Sequence, residues 1–120
     1  MTPILVFLGA GLGGILRHGV NVAALRLLGP GFPWGTLAVN VVGSLLMGFL
    51  AALLVGRSEA RLLLMTGVLG GFTTFSAFSL DAWNLWERGD VTLAAGYVLA
   101  SVLGSAAALG VGLVLGRALA

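Results

Sequence analysis

A four-helix, all-α membrane fold follows from three features of this 120-residue sequence: how few charges it carries, where they fall, and how short the links between its apolar runs are. Apolar residues make up 59% and charged residues 8%, against roughly 25% charged in an average soluble domain. Six Arg, two Asp and two Glu, with no Lys, cannot clothe a soluble protein of this size, so lipid is the solvent. The same scarcity excludes other classes. The arginines are scattered rather than gathered into a patch that would bind nucleic acid. The absence of cysteine removes disulfides, iron–sulfur clusters and thiol chemistry, and one His with four dispersed carboxylates argues against a metal site built from side chains.

The stretches free of charged side chains are 1–16, 27–56, 62–80 and 91–116, and a transmembrane helix needs about 20 mainly apolar residues. This predicts spans near 4–25, 34–55, 61–86 and 92–117, in a single transmembrane domain over 1–120. A Gly-Pro-Gly-Phe-Pro turn occupies 29–33, and short polar links occupy 56–60 and 87–90. Links this short force neighbouring helices to run antiparallel.

The first span has no basic residue before its apolar run, and Arg17 and His18 stand where a signal peptide would have a small, neutral cleavage region, so we read it as a retained helix. Its Gly9, Gly11 and Gly14 match the dinucleotide pattern G-x-G-x-x-G, but the first carboxylate is Glu59 and no βαβ unit follows. Close helix packing is the better reading of these glycines. Arg17, with His18 and Asp81, completes the ionisable groups inside the spans. A central arginine costs about 2.5 to 3.5 kcal/mol on insertion scales, so Arg17 either faces a wet vestibule, where it gathers anions, or anchors at the interface, with Asp81 as a partner.

The second span sets Thr36, Asn40, Ser44 and Gly48 on one face at successive i+4 steps. Asn40 reads two ways, as an interhelical hydrogen bond that holds the fold or as a pore group. The third span holds Gly67, Gly70, Gly71 and the pair Thr73-Thr74 at its centre. We expect the helix to break there, at mid-membrane, where non-helical backbone is tolerated if buried in protein or lining a polar cavity, and where its carbonyls can hold a cation; the other reading is an intact helix whose glycines only permit close packing. Phe72, Phe75 and Phe78 follow at i+3 spacing. They serve either as ordinary packing or as rings whose positive edges meet an anion. The fourth span aligns Tyr97, Ser101 and Ser105 at i+4 steps. Their hydroxyls either donate to an anion or bond back to their own helix. Gly112 and Gly116 form a G-x-x-x-G packing pair.

Orientation is set by Lys and Arg near the span ends. Arg57, Arg61 and Arg117 lie on one side and Arg17, Arg26 and Arg88 on the other, three against three. Without a bias the chain can insert either way, which points to dual topology and an antiparallel homodimer; the other reading is a chain that is ambiguous to this rule or oriented by a partner. Trp34, Trp83 and Trp86 all lie on one side, and an antiparallel pair gives both interfaces a tryptophan belt.

Three segments carry a resemblance: 9–17, where Gly13 and Arg17 fit G-A-x-x-R; 35–44, Gly-Thr-Leu-Ala-Val-Asn-Val-Val-Gly-Ser; and 70–78, Gly-Gly-Phe-Thr-Thr-Phe-Ser-Ala-Phe. Together with Tyr97, Ser101 and Ser105, they make the chain resemble the Fluc/CrcB fluoride-channel family across all four spans. The resemblance implies a dual-topology antiparallel dimer with two pores and a structural Na⁺ at the two-fold axis, held by the backbone carbonyls of Gly70 and Thr73. It implies that Asn40 orients pore groups, that Phe75 and Phe78 present ring edges to fluoride, that Tyr97, Ser101 and Ser105 form a hydroxyl track, and that Arg17 lies at the vestibule. Two positions depart from the family pattern. Ala77 stands where Thr or Ser is usual, and Gly14 where Ala is usual.

On this resemblance the expected function is passive export of cytoplasmic fluoride, without enzyme activity, through a cell membrane. The partners are fluoride, lipid and a second copy of the chain. Stripping water from so small an anion costs tens of kcal/mol unless ligands replace it. Neutral donors and ring edges supply replacements weak enough to let go, in keeping with the lack of Lys and of any Arg between 62 and 80. A small multidrug transporter is the rival of similar size, but it needs a buried titratable carboxylate, and only Asp81, near the end of the third span, is available. A subunit that only assembles would leave the Asn, Phe and Ser pattern without a purpose.

Overall fold

The computed structural model describes residues 2–120. Described residues form helices and turns, with no strand. Helix α1 covers Thr2–Leu28 and α2 covers Trp34–Leu53. The third span is composite: α3 at Ser58–Ala60, a π-helical stretch at Arg61–Leu69, α4 at Gly70–Phe72 and α5 at Ser76–Glu87. Helix α6 covers Val91–Leu119. Four stretches, Thr2–Leu28, Trp34–Leu53, Ser58–Glu87 and Val91–Leu119, are long and apolar enough to cross a membrane.

The helix ends differ from the expected spans by a few residues for a physical reason. A charge bounds the passage through lipid, whereas a helix continues into the interface until its backbone is turned. Helix α1 therefore runs past Arg26 to Gly29, whose φ of +78° suits glycine and whose N–H returns to the Leu25 carbonyl at 3.0 Å. At the end of α5, Gly89 (φ +84°) donates to the Trp86 carbonyl and Asp90 to the Leu85 carbonyl, each at 3.0 Å. This pair of bonds closes the helix in a Schellman turn. The link expected at 56–60 is displaced to 54–57, because α2 ends at Leu53, short of the expected 55, and helix resumes at Ser58.

The first and third links lie at the same end: Arg88 Nη2 donates to the Gly31 carbonyl at 2.9 Å. Trp34, Trp83 and Trp86 are exposed.

Two glycine seams hold the bundle. Helix α1 lies against the π-helical stretch and α4, where a Cβ on Gly13 would strike the Val68 carbonyl and one on Gly71 the Ala10 carbonyl. Helix α2 lies along α6, where a Cβ on Gly48 would strike the Leu109 carbonyl and one on Gly112 the Leu45 carbonyl. Small residues let backbones meet where lipid offers no hydrophobic drive for association. The π-helical stretch has no counterpart in the sequence reading. Outside the seams, large apolar side chains such as Phe7, Ile15, Leu27 and Val114 are exposed, as expected for a protein whose solvent is lipid.

Candidate functional site

The helical run of the third span stops at Phe72. Thr73 is extended (φ −87°, ψ 158°), and helix resumes at Ser76. In a continuous helix the Thr74 N–H would return to the Gly70 carbonyl and the Ala77 N–H to the Thr73 carbonyl. Both donors are diverted. Thr74 N–H donates to Asn40 Oδ1 at 2.8 Å, and Ala77 N–H donates to Thr74 Oγ1 at 3.1 Å. Asn40 Nδ2 in turn donates to the Thr74 carbonyl at 2.9 Å. One amide side chain thus satisfies both backbone groups of Thr74, and the fold-holding reading of Asn40 is met directly. Leu69 carries two donors, Thr73 N at 3.0 Å and Thr73 Oγ1 at 2.9 Å.

Asn40 lies between the interruption and a cleft of about 490 Å³. Asn40, Ser44, Gly70, Thr73, Thr74, Phe75, Phe78, Ser101 and Ser105 line it, together with four apolar or small residues. None of its lining residues is ionisable. Seven of the nine residues singled out from the sequence as ion-pathway or cation groups therefore meet in one place. Ser101 is 5% exposed, and its Oγ has no hydrogen-bond partner. It does not bond back to its own helix, unlike Ser79, whose Oγ donates to the Phe75 carbonyl at 2.9 Å. A buried hydroxyl without a partner is costly and rare. In an uncharged cleft it is a donor awaiting a ligand.

The phenylalanines separate. Phe72 packs beside Gly43 of α2, where an added Cβ would meet its Cδ2 at 3.4 Å. Phe78 is buried, and Phe75, 77% exposed, lies 5.4 Å from it between ring centroids at a tilt of 49°. The interruption explains the split, since i+3 spacing defines a shared face only on an unbroken helix.

The other two residues go elsewhere. Tyr97 is fully buried against Phe78 and Phe32, and its OH donates to Asp81 Oδ2 at 3.2 Å. The same oxygen accepts from Thr36 Oγ1 at 2.7 Å. Arg17 Nε donates to the Gly71 carbonyl at 3.2 Å. The pairing of Arg17 with Asp81 considered from the sequence is not formed, because the Asp81 carboxylate is engaged from α2 and α6. A second cleft of about 400 Å³ opens beside this cluster toward the linked loops, lined by Asn21, Thr36, Ala77, Asp81, Asn84 and Arg88 among others. Sequence reasoning missed Thr74, whose backbone is the partner of Asn40 and whose hydroxyl starts α5. Its only signal was its place in the Thr73-Thr74 pair at the centre of the expected break.

Among the described residues no group of three or more His, Cys, Asp or Glu could hold a metal. A cation here would have to take backbone oxygens, and Gly70 and Thr73 offer the two carbonyls whose helical donors are diverted. The residues present therefore fit a hard cation, which prefers oxygen ligands.

Comparison with known proteins finds matches over nearly the whole chain. The family described as "CrcB-like protein, Camphor Resistance (CrcB)" matches residues 4–113. A protein of Mesorhizobium japonicum, named fluoride-specific ion channel FluC, is 55% identical over 119 residues, covering 97% of this chain and 96% of its own. Relatives of the same name from Agrobacterium fabrum (56% over 117 residues, 94% of each chain) and Paracoccus denitrificans (57% over 120 residues, 98% of this chain and 96% of its own) are similarly close. With four spans apolar enough for a multi-pass protein of the cell membrane and a match over 4–113, the chain belongs to the CrcB-like family.

Proposed function

We propose that this protein is a fluoride-selective channel that lets cytoplasmic fluoride leave the cell passively. The unpartnered Ser101 hydroxyl in an uncharged cleft carries this reading. Ser101 and Ser105 donate to the anion, Asn40 fixes the wall opposite, and Phe75 and Phe78 offer ring edges. Each contact is weak, so the ion exchanges a costly desolvation for many small gains and is not trapped. Relatives at 55–57% identity named fluoride-specific ion channels support the choice of anion. A cell interior negative by about 100 mV drives a monovalent anion outward by about 2.3 kcal/mol, so no coupled energy is needed.

The working unit in this reading is an antiparallel, dual-topology homodimer with two pores and the interruption of the third span at mid-membrane. The cleft is open on one side and Phe75 is exposed at its edge, so a second copy supplies the missing wall. The balance of three arginines against three permits both insertions. Gly70 and Thr73 carbonyls would hold a structural Na⁺, four oxygens from two copies, and the cation would supply fixed positive charge that cross-links the interrupted helices. Tyr97 serves the pathway indirectly in this scheme, through Asp81, beside the second cleft.

Purified protein in liposomes should release fluoride, and far less chloride, once a K⁺ ionophore removes the voltage limit. Equal efflux of both ions would refute selectivity. Phe75→Ile keeps bulk without a ring edge and should lower flux about tenfold, the effect of roughly 1.4 kcal/mol on a barrier; unchanged flux would assign Phe75 to packing.

A further inference from the structure

Arg17 follows Gly9 and Gly13 at i+4 steps on the face of α1 that lies against the third span. A Cβ on Gly13 would meet the Val68 carbonyl and the Phe72 amide, so the two backbones touch up to the point where helix ends. One turn further on, Arg17 reaches that end, and its Nε donates to the Gly71 carbonyl in the last helical turn. In a continuous helix this carbonyl would receive the Phe75 N–H. Arg17 lines neither polar cleft, and the carboxylate of Asp81 is engaged by Thr36 and Tyr97. The donors around the interruption therefore come from two sides, Arg17 from α1 to Gly71 and Asn40 from α2 to Thr74. Next to these two anchored residues, Gly70 and Thr73 keep carbonyls whose helical donors are diverted.

We propose that Arg17 is a positioning residue: its guanidinium caps the open C-terminal end of the first half of the third span and so fixes the Gly70 and Thr73 carbonyls at the cleft wall. A cation at a helix C-terminus is favoured by the helix dipole as well as by the hydrogen bond. Arg17 thus acts on the ion pathway through backbone geometry and not by collecting anions at a vestibule. The inference rests on the reading of Gly70 and Thr73 as cation ligands only for its second arm of testing.

The test uses the full-length protein in lipid nanodiscs and measures amide hydrogen exchange, first without Na⁺ and then across a Na⁺ titration, for wild type, Arg17→Gln and Arg17→Lys. Without Na⁺, Arg17→Gln should speed exchange over 71–77 about tenfold and leave α6 unchanged, while Arg17→Lys, whose ammonium still reaches a carbonyl, falls between. Exchange over 71–77 that is the same in all three proteins overturns the cap. In the second arm, the Na⁺ concentration giving half of the Na⁺-induced protection should rise about tenfold in Arg17→Gln, while the fluoride concentration for half-maximal flux in liposomes stays within about twofold. A shifted fluoride value with an unmoved Na⁺ value would make Arg17 an anion collector, and a lowered Na⁺ value would make it a repelling charge; either overturns the proposal. Wild-type protein without any Na⁺ response would instead defeat the cation reading, and the Na⁺-free exchange would still decide the cap.

Discussion

Two polar regions sit one helical turn apart on the same three helices, and they are built to opposite rules. Thr36 of α2, Asp81 of α5 and Tyr97 of α6 form one; Asn40, Phe78 and Ser101, each one turn along the same helix, belong to the other. In the first, both hydroxyls donate to the same Asp81 oxygen. In the second, Asn40 is tied through both its oxygen and its nitrogen to the Thr74 backbone, but the Ser101 hydroxyl has no partner at 5% exposure. A satisfied buried network fixes a fold. An unsatisfied donor in an uncharged cleft is a place for a ligand. In the proposed reading, the first region holds the helices in register and the second serves the ion.

The largest expected effect breaks the second region at its anchor. Asn40→Asp keeps the shape and the acceptor for Thr74 N–H but sets an oxygen against the Thr74 carbonyl where an N–H now donates. It loses one part-buried hydrogen bond and adds repulsion, about 1–3 kcal/mol, and it places an acid beside the proposed path of the anion. Fluoride efflux from liposomes should fall at least about a hundredfold. Efflux within a few-fold of wild type would show that the interruption holds itself without Asn40.

A paired measurement sharpens the comparison. Ser101→Ala removes a hydroxyl that no protein group uses, so thermal stability in detergent should hold while fluoride flux falls about tenfold. Tyr97→Phe removes a donor from Asp81, so stability should drop by roughly 1–2 kcal/mol, with the smaller effect on flux. A reversed pattern, with stability lost at Ser101 and flux at Tyr97, would exchange the roles of the two regions.

Much of this was legible in the sequence, and the parts that were not share a cause. The four spans follow from charge placement alone, and i+4 steps placed Asn40 with Ser44 and Ser101 with Ser105, which the structure brings to one cleft. Helical periodicity gives the face from which a side chain leaves but not how far it reaches. Tyr97 shares a face with Ser101, yet its long phenol bonds to a different helix at Asp81. Arg17 likewise leaves α1 toward the third span and ends on a backbone carbonyl that no sequence pattern marks. The π-helical stretch at Arg61–Leu69 was hidden for a related reason. It shifts each hydrogen bond by one residue, in a stretch packed against the α1 glycines, and leaves no residue signature of its own.

The smallest expected effect tests the join between the two regions. Ala77 lies on α5 one turn before Asp81, lines the second cleft, and gives its N–H to the Thr74 hydroxyl. The resemblance that implies Thr or Ser at this position would make Ala77 a missing hydroxyl in the polar lining. In Ala77→Ser the new hydroxyl can turn into the cleft, where one more neutral donor lowers the cost of passing the ion from one region to the other, and flux should rise about two- to threefold. The hydroxyl has a competing choice. Serine in a helix bonds back to a carbonyl one turn earlier, as Ser79 does to Phe75, but the backbone one turn before position 77 is extended and its N–H already turns to Thr74 Oγ1, so the competing partner there is the Thr74 side chain. An introduced hydroxyl taken up in this way would leave flux unimproved. Measuring fluoride flux from liposomes separates the outcomes, and a rise would show that the alanine, rather than the fold, sets the present limit on conduction.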